Sequence, residues 1–135
     1  MTMPKKLAAT KETAASSYER EVLAALKELY PRMIILRQVQ LAKETHTRVR
    51  STRVDFYMPE LDLCIEVDGE HHFKPVEYDE HAQADFERRQ AMDRAKDEFL
   101  EMAGHKVLHV PYTVINDGLK DWLKEQIKKK LKEAD

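Results

Sequence analysis

Residues 53–69 read RVDFYMPELDLCIEVDG, and the fold turns on this stretch. Arg53–Met58 and Leu61–Asp68 are two short runs rich in β-formers. Pro59 and Glu60 separate them and supply a short turn, so the pair is expected to form an antiparallel hairpin. The second run alternates strictly. Leu61, Leu63, Ile65 and Val67 share one face, while Asp62, Cys64, Glu66 and Asp68 share the other. Gly69 closes it.

Outward from this hairpin the chain reads as one mixed domain. On the N-terminal side, Val22, Leu23, Leu26 and Leu29 recur at helical spacing from Ser16, and Pro31 stops that helix. Met33–Leu41 reads as a strand, and Lys43–Thr52 as a polar, basic loop or strand end. On the C-terminal side a long helix is expected over Glu80–Ala103, with an apolar stripe through Phe86, Met92, Ala95, Phe99 and Ala103 and Gly104 as its stop. Lys106–Val110 is a last core strand ended by Pro111, and Leu119–Leu131 a final amphipathic helix. The order α-β-β-β-α-β-α implies a mixed α/β (α+β) fold, a central sheet flanked by helices. Residues 1–15 are expected to be a flexible basic arm, and 16–135 a single domain.

Composition narrows the function classes. At 135 residues, 42% hydrophobic and 36% charged, the chain can bury a core beneath a charged surface, which does not suit a disordered protein. One cysteine, Cys64, excludes an internal disulfide framework. No run approaches a membrane span, and Met1–Lys11 carries no apolar signal core, so the expectation is a cytoplasmic protein with no membrane partner. A net charge of −2 speaks against a general nucleic-acid coat, yet permits an acidic metal site beside a basic footprint.

The chemistry gathers around three carboxylates. Asp55 stands mid-strand, Glu66 and Asp68 share a face of the next strand, and a tight turn brings Asp55 near that pair. Two unscreened carboxylates about 4 Å apart repel by roughly 4 kcal/mol at an effective dielectric near 20. A hard divalent cation with oxygen ligands relieves that repulsion, and Mg²⁺ (or Mn²⁺) is the expected cofactor. The alternative is an acidic strand face left in water, which fails if the long helix covers it.

Glu19 falls on the apolar stripe of the first helix, in register with Val22, Leu23 and Leu26. It forms a capping box with Ser16, reaches the acidic patch, or does both. His71 and His72 follow the Asp68-Gly69 turn, close enough in sequence to move protons there. Cys64, His71, His72 and His81 lack the spacing of a zinc site.

Taken together, Leu36-Arg37-Gln38, Arg53-Val54-Asp55-Phe56-Tyr57, Pro59-Glu60-Leu61, Ile65-Glu66-Val67-Asp68-Gly69 and His72 resemble the small endonuclease-like domains related to the very-short-patch-repair (Vsr) mismatch endonuclease, within the wider PD-(D/E)xK nuclease fold. Asp97–Leu100 and Gly104–Leu108 continue the likeness, and Glu19 with Val22, Leu23 and Leu26 resembles the family's first helix. The resemblance implies a restriction endonuclease-like core and metal-dependent hydrolysis of DNA phosphodiester bonds. It implies that Asp55 and Glu66 bind the metal, with the Val67 carbonyl as a further ligand. It makes Glu19, Asp68 and His72 the groups that order water or shuttle protons. Asp68 stands where the wider fold usually carries lysine. The Vsr-like branch also lacks that lysine, but the mismatch enzyme's zinc-binding cysteines are absent here, so mismatch repair is not implied.

Phosphate contacts require cations near the metal, and the expected DNA-binding residues are Arg37, Lys43, Arg48, Arg50 and Arg53. Two other readings use the same fold. One is a non-catalytic nucleic-acid-binding module, motivated by the missing lysine. The other is a Holliday-junction or branched-DNA resolvase, which would form a stable dimer.

Overall fold

The structure, a computed structural model, describes residues 14–41, 52–70 and 80–133; of residues 14–16 and 80 it describes the backbone alone. Among them the expected order is present: α1 (Ala14–Leu29), β1 (Leu36–Gln40), β2 (Arg53–Met58), β3 (Leu63–Asp68), α2 (Glu80–Met102), β4 (Lys106–Pro111) and α3 (Leu119–Glu133). A 3₁₀ turn, Tyr112–Val114, joins β4 to the segment before α3. The four strands form one mixed sheet in the order β1-β2-β3-β4. β1–β2 and β2–β3 are antiparallel, and β3–β4 is parallel, with α2 as the crossover between them. A parallel neighbour requires such a crossover, because a short turn can only reverse a chain.

Strand alternation sorts the core into two clusters. Leu63 and Ile65 of β3, Phe56 and Met58 of β2, and Leu108 and Val110 of β4 pack against Val22 and Leu26 of α1 and Leu119, Leu123 and Ile127 of α3. The opposite sheet face is covered by α2. There Leu100 meets Val54, Cys64 and Val107. β3 is therefore covered on both faces, and five of its six residues are buried. The acidic strand face does not lie open to water: both Glu66 and Asp68 are buried.

The helix over that face departs from the expected stripe. Of the expected residues only Phe86 is buried; Ala103 is exposed, and the second buried anchor is Leu100. Phe86, Asp93 and Leu100 are seven residues apart, so they share a face with Lys96 and Asp97. α2 presents polar groups inward because the strand face beneath it carries carboxylates.

Three ends also differ from expectation. β1 is shorter than 33–41, since Pro31–Met33 turns, with the Met33 amide donating to the Tyr30 carbonyl at 3.2 Å. The β2–β3 connection spans residues 59–62 rather than two residues, closed by Leu61 N–H to Met58 O and Asp62 N–H to Pro59 O, both 3.1 Å. Asp62 there has φ +52, and its carboxylate is tied down by the Tyr57 hydroxyl at 2.8 Å and His105 Nδ1 at 2.6 Å. α1 begins two residues earlier than Ser16. Gly104 stops α2 as expected, at φ +100, a conformation that disfavours a side chain. No described helix is long and apolar enough to cross a membrane.

Candidate active site

The sheet loses its regularity at one level, and the candidate site lies there. Pairing of β2 with β3 runs from Met58↔Leu63 to Phe56↔Ile65 and stops. One step further, Asp55 Oδ2 accepts the Val67 N–H at 2.8 Å. A side-chain carboxylate thus takes a strand amide just past the last ladder pair. Across β2 the register places Gln38 opposite Asp55, between Arg37↔Phe56 and Val39↔Val54. Gln38 has φ +51, a left-handed conformation that costs a non-glycine residue about 1–2 kcal/mol. Alternation along β2 also breaks here. Val54 packs with the α2-side cluster, whereas Phe56 packs on the side of α1 and α3. Local departures of this kind re-aim side chains.

Two of the expected residues, Glu19 and Asp55, come together at this level through Gln38, which is not among them. Gln38 Nε2 lies 3.5 Å from both Glu19 Oε1 and Asp55 Oδ1, so α1, β1 and β2 share one polar contact. Burial, and then the Asp55 charge, push the Glu19 carboxyl above its ordinary range, and Arg37 opposes the shift. Glu19 therefore does face the patch, and Arg37 lies within its electrostatic reach. The Ser16 side chain of the capping alternative lies outside the described set.

Glu66 occupies the buried end of the patch. Burial pushes its carboxyl up to about 7; Asp55 adds to the rise, while Lys96 and His109 pull the other way. Lys96 Nζ, from α2, stands 2.5 Å from Glu66 Oε2. That ammonium supplies charge without a well-directed hydrogen bond, and the buried Oε2 has no hydrogen-bond partner. An ion pair in such surroundings gains attraction but leaves desolvation partly uncompensated.

Asp68 is engaged elsewhere. His109 of β4 stands between two carboxylates, its Nδ1 2.8 Å from Asp68 Oδ2 and its Nε2 2.6 Å from Asp97 Oδ2 of α2. Burial disfavours the imidazolium, but the two hydrogen bonds and the two charges outweigh it and push the pKa up to about 10. A charged ring donates to both carboxylates. Because the folded-state pKa exceeds the ordinary 6.5, this contribution to stability is complete below about pH 6.5 and is lost as pH rises toward about 10. Glu66 acts with the same sign in a lower window, from 4.5 to about 7. Urea midpoints followed from pH 6.5 to pH 10 are expected to fall steadily in the wild type and much less in His109→Gln. A flat wild-type profile would show that the ring is not charged between the two carboxylates.

Lys96, His109 and Asp97 had no place in the sequence-level site. Their signals were present but indirect. His109 lies two residues after Val107 and shares its face of β4, and in the parallel register it stands beside Glu66. Lys96 lies one helical turn before Leu100. Of the remaining expected residues, Arg53 is exposed at the start of β2. His71, His72, Lys43, Arg48 and Arg50 lie outside the described residues.

Among the described residues no group of three His, Cys, Asp or Glu side chains is placed to hold a metal ion by itself. Magnesium does not require three, since it takes one or two carboxylates and completes its shell with water and phosphate oxygens. The donors that could serve are Asp55 and Glu66, all oxygen, and an ion there would share the Glu66 carboxylate with the Lys96 ammonium. No protein-family model, no curated protein and no solved structure matches the chain.

Proposed function

We propose that the chain is a Mg²⁺-dependent (or Mn²⁺-dependent) DNA endonuclease with a restriction endonuclease-like core of the Vsr type. One observation carries this reading: where the β2–β3 ladder ends, Asp55 shares the Gln38 amide with Glu19 and takes the Val67 N–H beside Glu66, so that its charge acts on both of the other carboxylates. Mutually repelling carboxylates, one of them buried, are costly to maintain unless a cation joins them. The element order and the residues that resemble the Vsr-like domains support the same reading.

In this reading Asp55 and Glu66 hold the ion, with the Val67 carbonyl as a third ligand. Bound there, the ion supplies Lewis-acid polarisation of the phosphodiester and an acidified water. Glu19 would accept a hydrogen bond from that water, and Gln38 links Glu19 to Asp55. Lys96 supplies the positive charge that the strand lacks at Asp68. Arg37 and Arg53 bind phosphates, together with Lys43, Arg48 and Arg50; His72 manages protons, and Asp68, expected to share that task, acts instead through its contact with His109.

A second reading, a nucleic-acid-binding module without catalysis, is favoured by the position of Lys96, which already neutralises Glu66. The deciding experiment incubates the full chain with duplex, nicked, mismatched and branched DNA in Mg²⁺, Mn²⁺ and EDTA, with calorimetry of each metal alongside. Metal-dependent cutting is expected, with EDTA abolishing it. DNA binding with neither cutting nor metal uptake would establish the module instead.

A further inference from the structure

We propose that His109 is a positioning residue: by bridging Asp97 of α2 to Asp68 of β3 it fixes the rotational setting of the helix on the sheet, and so holds Lys96 against Glu66. The catalytic consequence rests on the nuclease reading above; the positioning itself does not.

The geometry has two parallel ties between α2 and the carboxylate face of β3. Lys96 reaches Glu66 directly, at 2.5 Å. Asp97, the next residue on the helix, reaches Asp68 through the ring of His109, with spans of 2.6 and 2.8 Å. Asp68 is two residues beyond Glu66 and shares its face. His109 stands beside Glu66 in the β3–β4 register. Thus one imidazole connects the residue adjoining Lys96 to the residue two beyond Glu66.

The apolar contacts of α2 are few enough to need this. Among the described residues its buried side chains are Phe86 and Leu100, fourteen residues apart, and the buried members of the Leu100 cluster are Val54, Cys64 and Val107, with Val39, Leu41 and Tyr57 of the sheet side partly buried against them. Apolar packing is non-directional and tolerates small rotations. Adjacent residues on a helix differ by about 100° in direction. A pair of directed hydrogen bonds through His109 beside a short ion pair from the adjacent position therefore defines the rotation of α2 in a way that two distant apolar anchors cannot. Histidine suits the task because its nitrogens lie on opposite sides of a rigid ring and both donate when it is charged. A flexible lysine would satisfy either carboxylate without fixing the distance between the elements.

The test is a double-mutant cycle on the full chain. His109→Gln, Lys96→Met and the double variant are compared for kcat and KM of Mg²⁺-dependent DNA cleavage. The Lys96 side-chain ammonium is followed by ¹H–¹⁵N NMR without metal. In His109→Gln the ammonium resonance is expected to lose its protection from exchange, and kcat to fall roughly 10-fold or more with KM for DNA unchanged, as displacement of a reacting group by a fraction of an ångström does. In the Lys96→Met background His109→Gln is expected to cost kcat nothing further. An unchanged Lys96 resonance in His109→Gln overturns the proposal, as does an equal kcat loss in both backgrounds. If the wild type does not cleave, the nuclease reading fails and the NMR comparison still decides the positioning claim. If His109→Gln does not fold, Asp97→Ala removes the acceptor for His109 Nε2–H and with it one tie, and the same loss of Lys96 protection is expected from it.

Discussion

Asp55→Ala is expected to abolish metal-dependent DNA cleavage, lowering kcat on the order of 10³-fold or more. Metal-ion catalysis contributes several kcal/mol of transition-state stabilisation, and each 1.36 kcal/mol is a factor of ten. The variant is expected to remain folded at lower stability. It loses the acceptor for the part-buried Val67 N–H, and leaving a donor unpaired costs up to about 1–3 kcal/mol when it is shut off from water. Part of that loss is offset, because Glu19 and Glu66 no longer feel the Asp55 charge. Asp55→Asn separates the two roles. Its side-chain oxygen still accepts from Val67, so its urea midpoint should stay near wild type while cleavage and calorimetric metal uptake disappear. Full cleavage by Asp55→Ala on DNA that the wild type cuts would remove Asp55 from the site and the nuclease reading with it.

Phe56→Ala is expected to produce the largest loss of stability of any single truncation near the site. Phe56 is 1% exposed and pairs with Arg37 on one side and Ile65 on the other, at the centre of the larger core cluster. Removing a buried phenyl ring costs about 3–5 kcal/mol, through lost transfer energy and the cavity left behind. A domain of this size has only about 5–15 kcal/mol in total, so the variant should unfold at markedly lower urea. Phe56 also marks the last ladder pair before the strands part at Asp55, so cleavage should weaken in the fraction that stays folded. Phe56→Leu keeps most of the volume and should cost well under half as much. A loss below about 1 kcal/mol for Phe56→Ala would place the ring outside the core.

Much of the architecture is legible in the chain because its periodicities are clean. The alternation of Leu63, Ile65 and Val67 against Cys64, Glu66 and Asp68, and the stops at Pro31 and Gly104, depend on local stereochemistry, and the strands and helices fall where those signals place them. The inward bias of Glu19 was readable for the same reason: a helical register is local information. α2 is less legible. Its inner face mixes Phe86 and Leu100 with Asp93, Lys96 and Asp97, so hydrophobic periodicity could not identify it.

The sequence by itself determined the order of elements, the mixed α/β class, and which carboxylates lie on which strand face. Only the tertiary structure decided what those carboxylates meet. Lys96 reaches Glu66 across 30 positions of chain, and His109 reaches Asp68 across 41. Such pairings arise when a crossover helix returns beside a parallel strand, and no spacing rule within one element encodes them. The same holds for Gln38 opposite Asp55, where the irregular backbone reflects the demands of three neighbouring elements at once. Local stereochemistry is set residue by residue; electrostatic environment depends on which distant charges the finished fold encloses together.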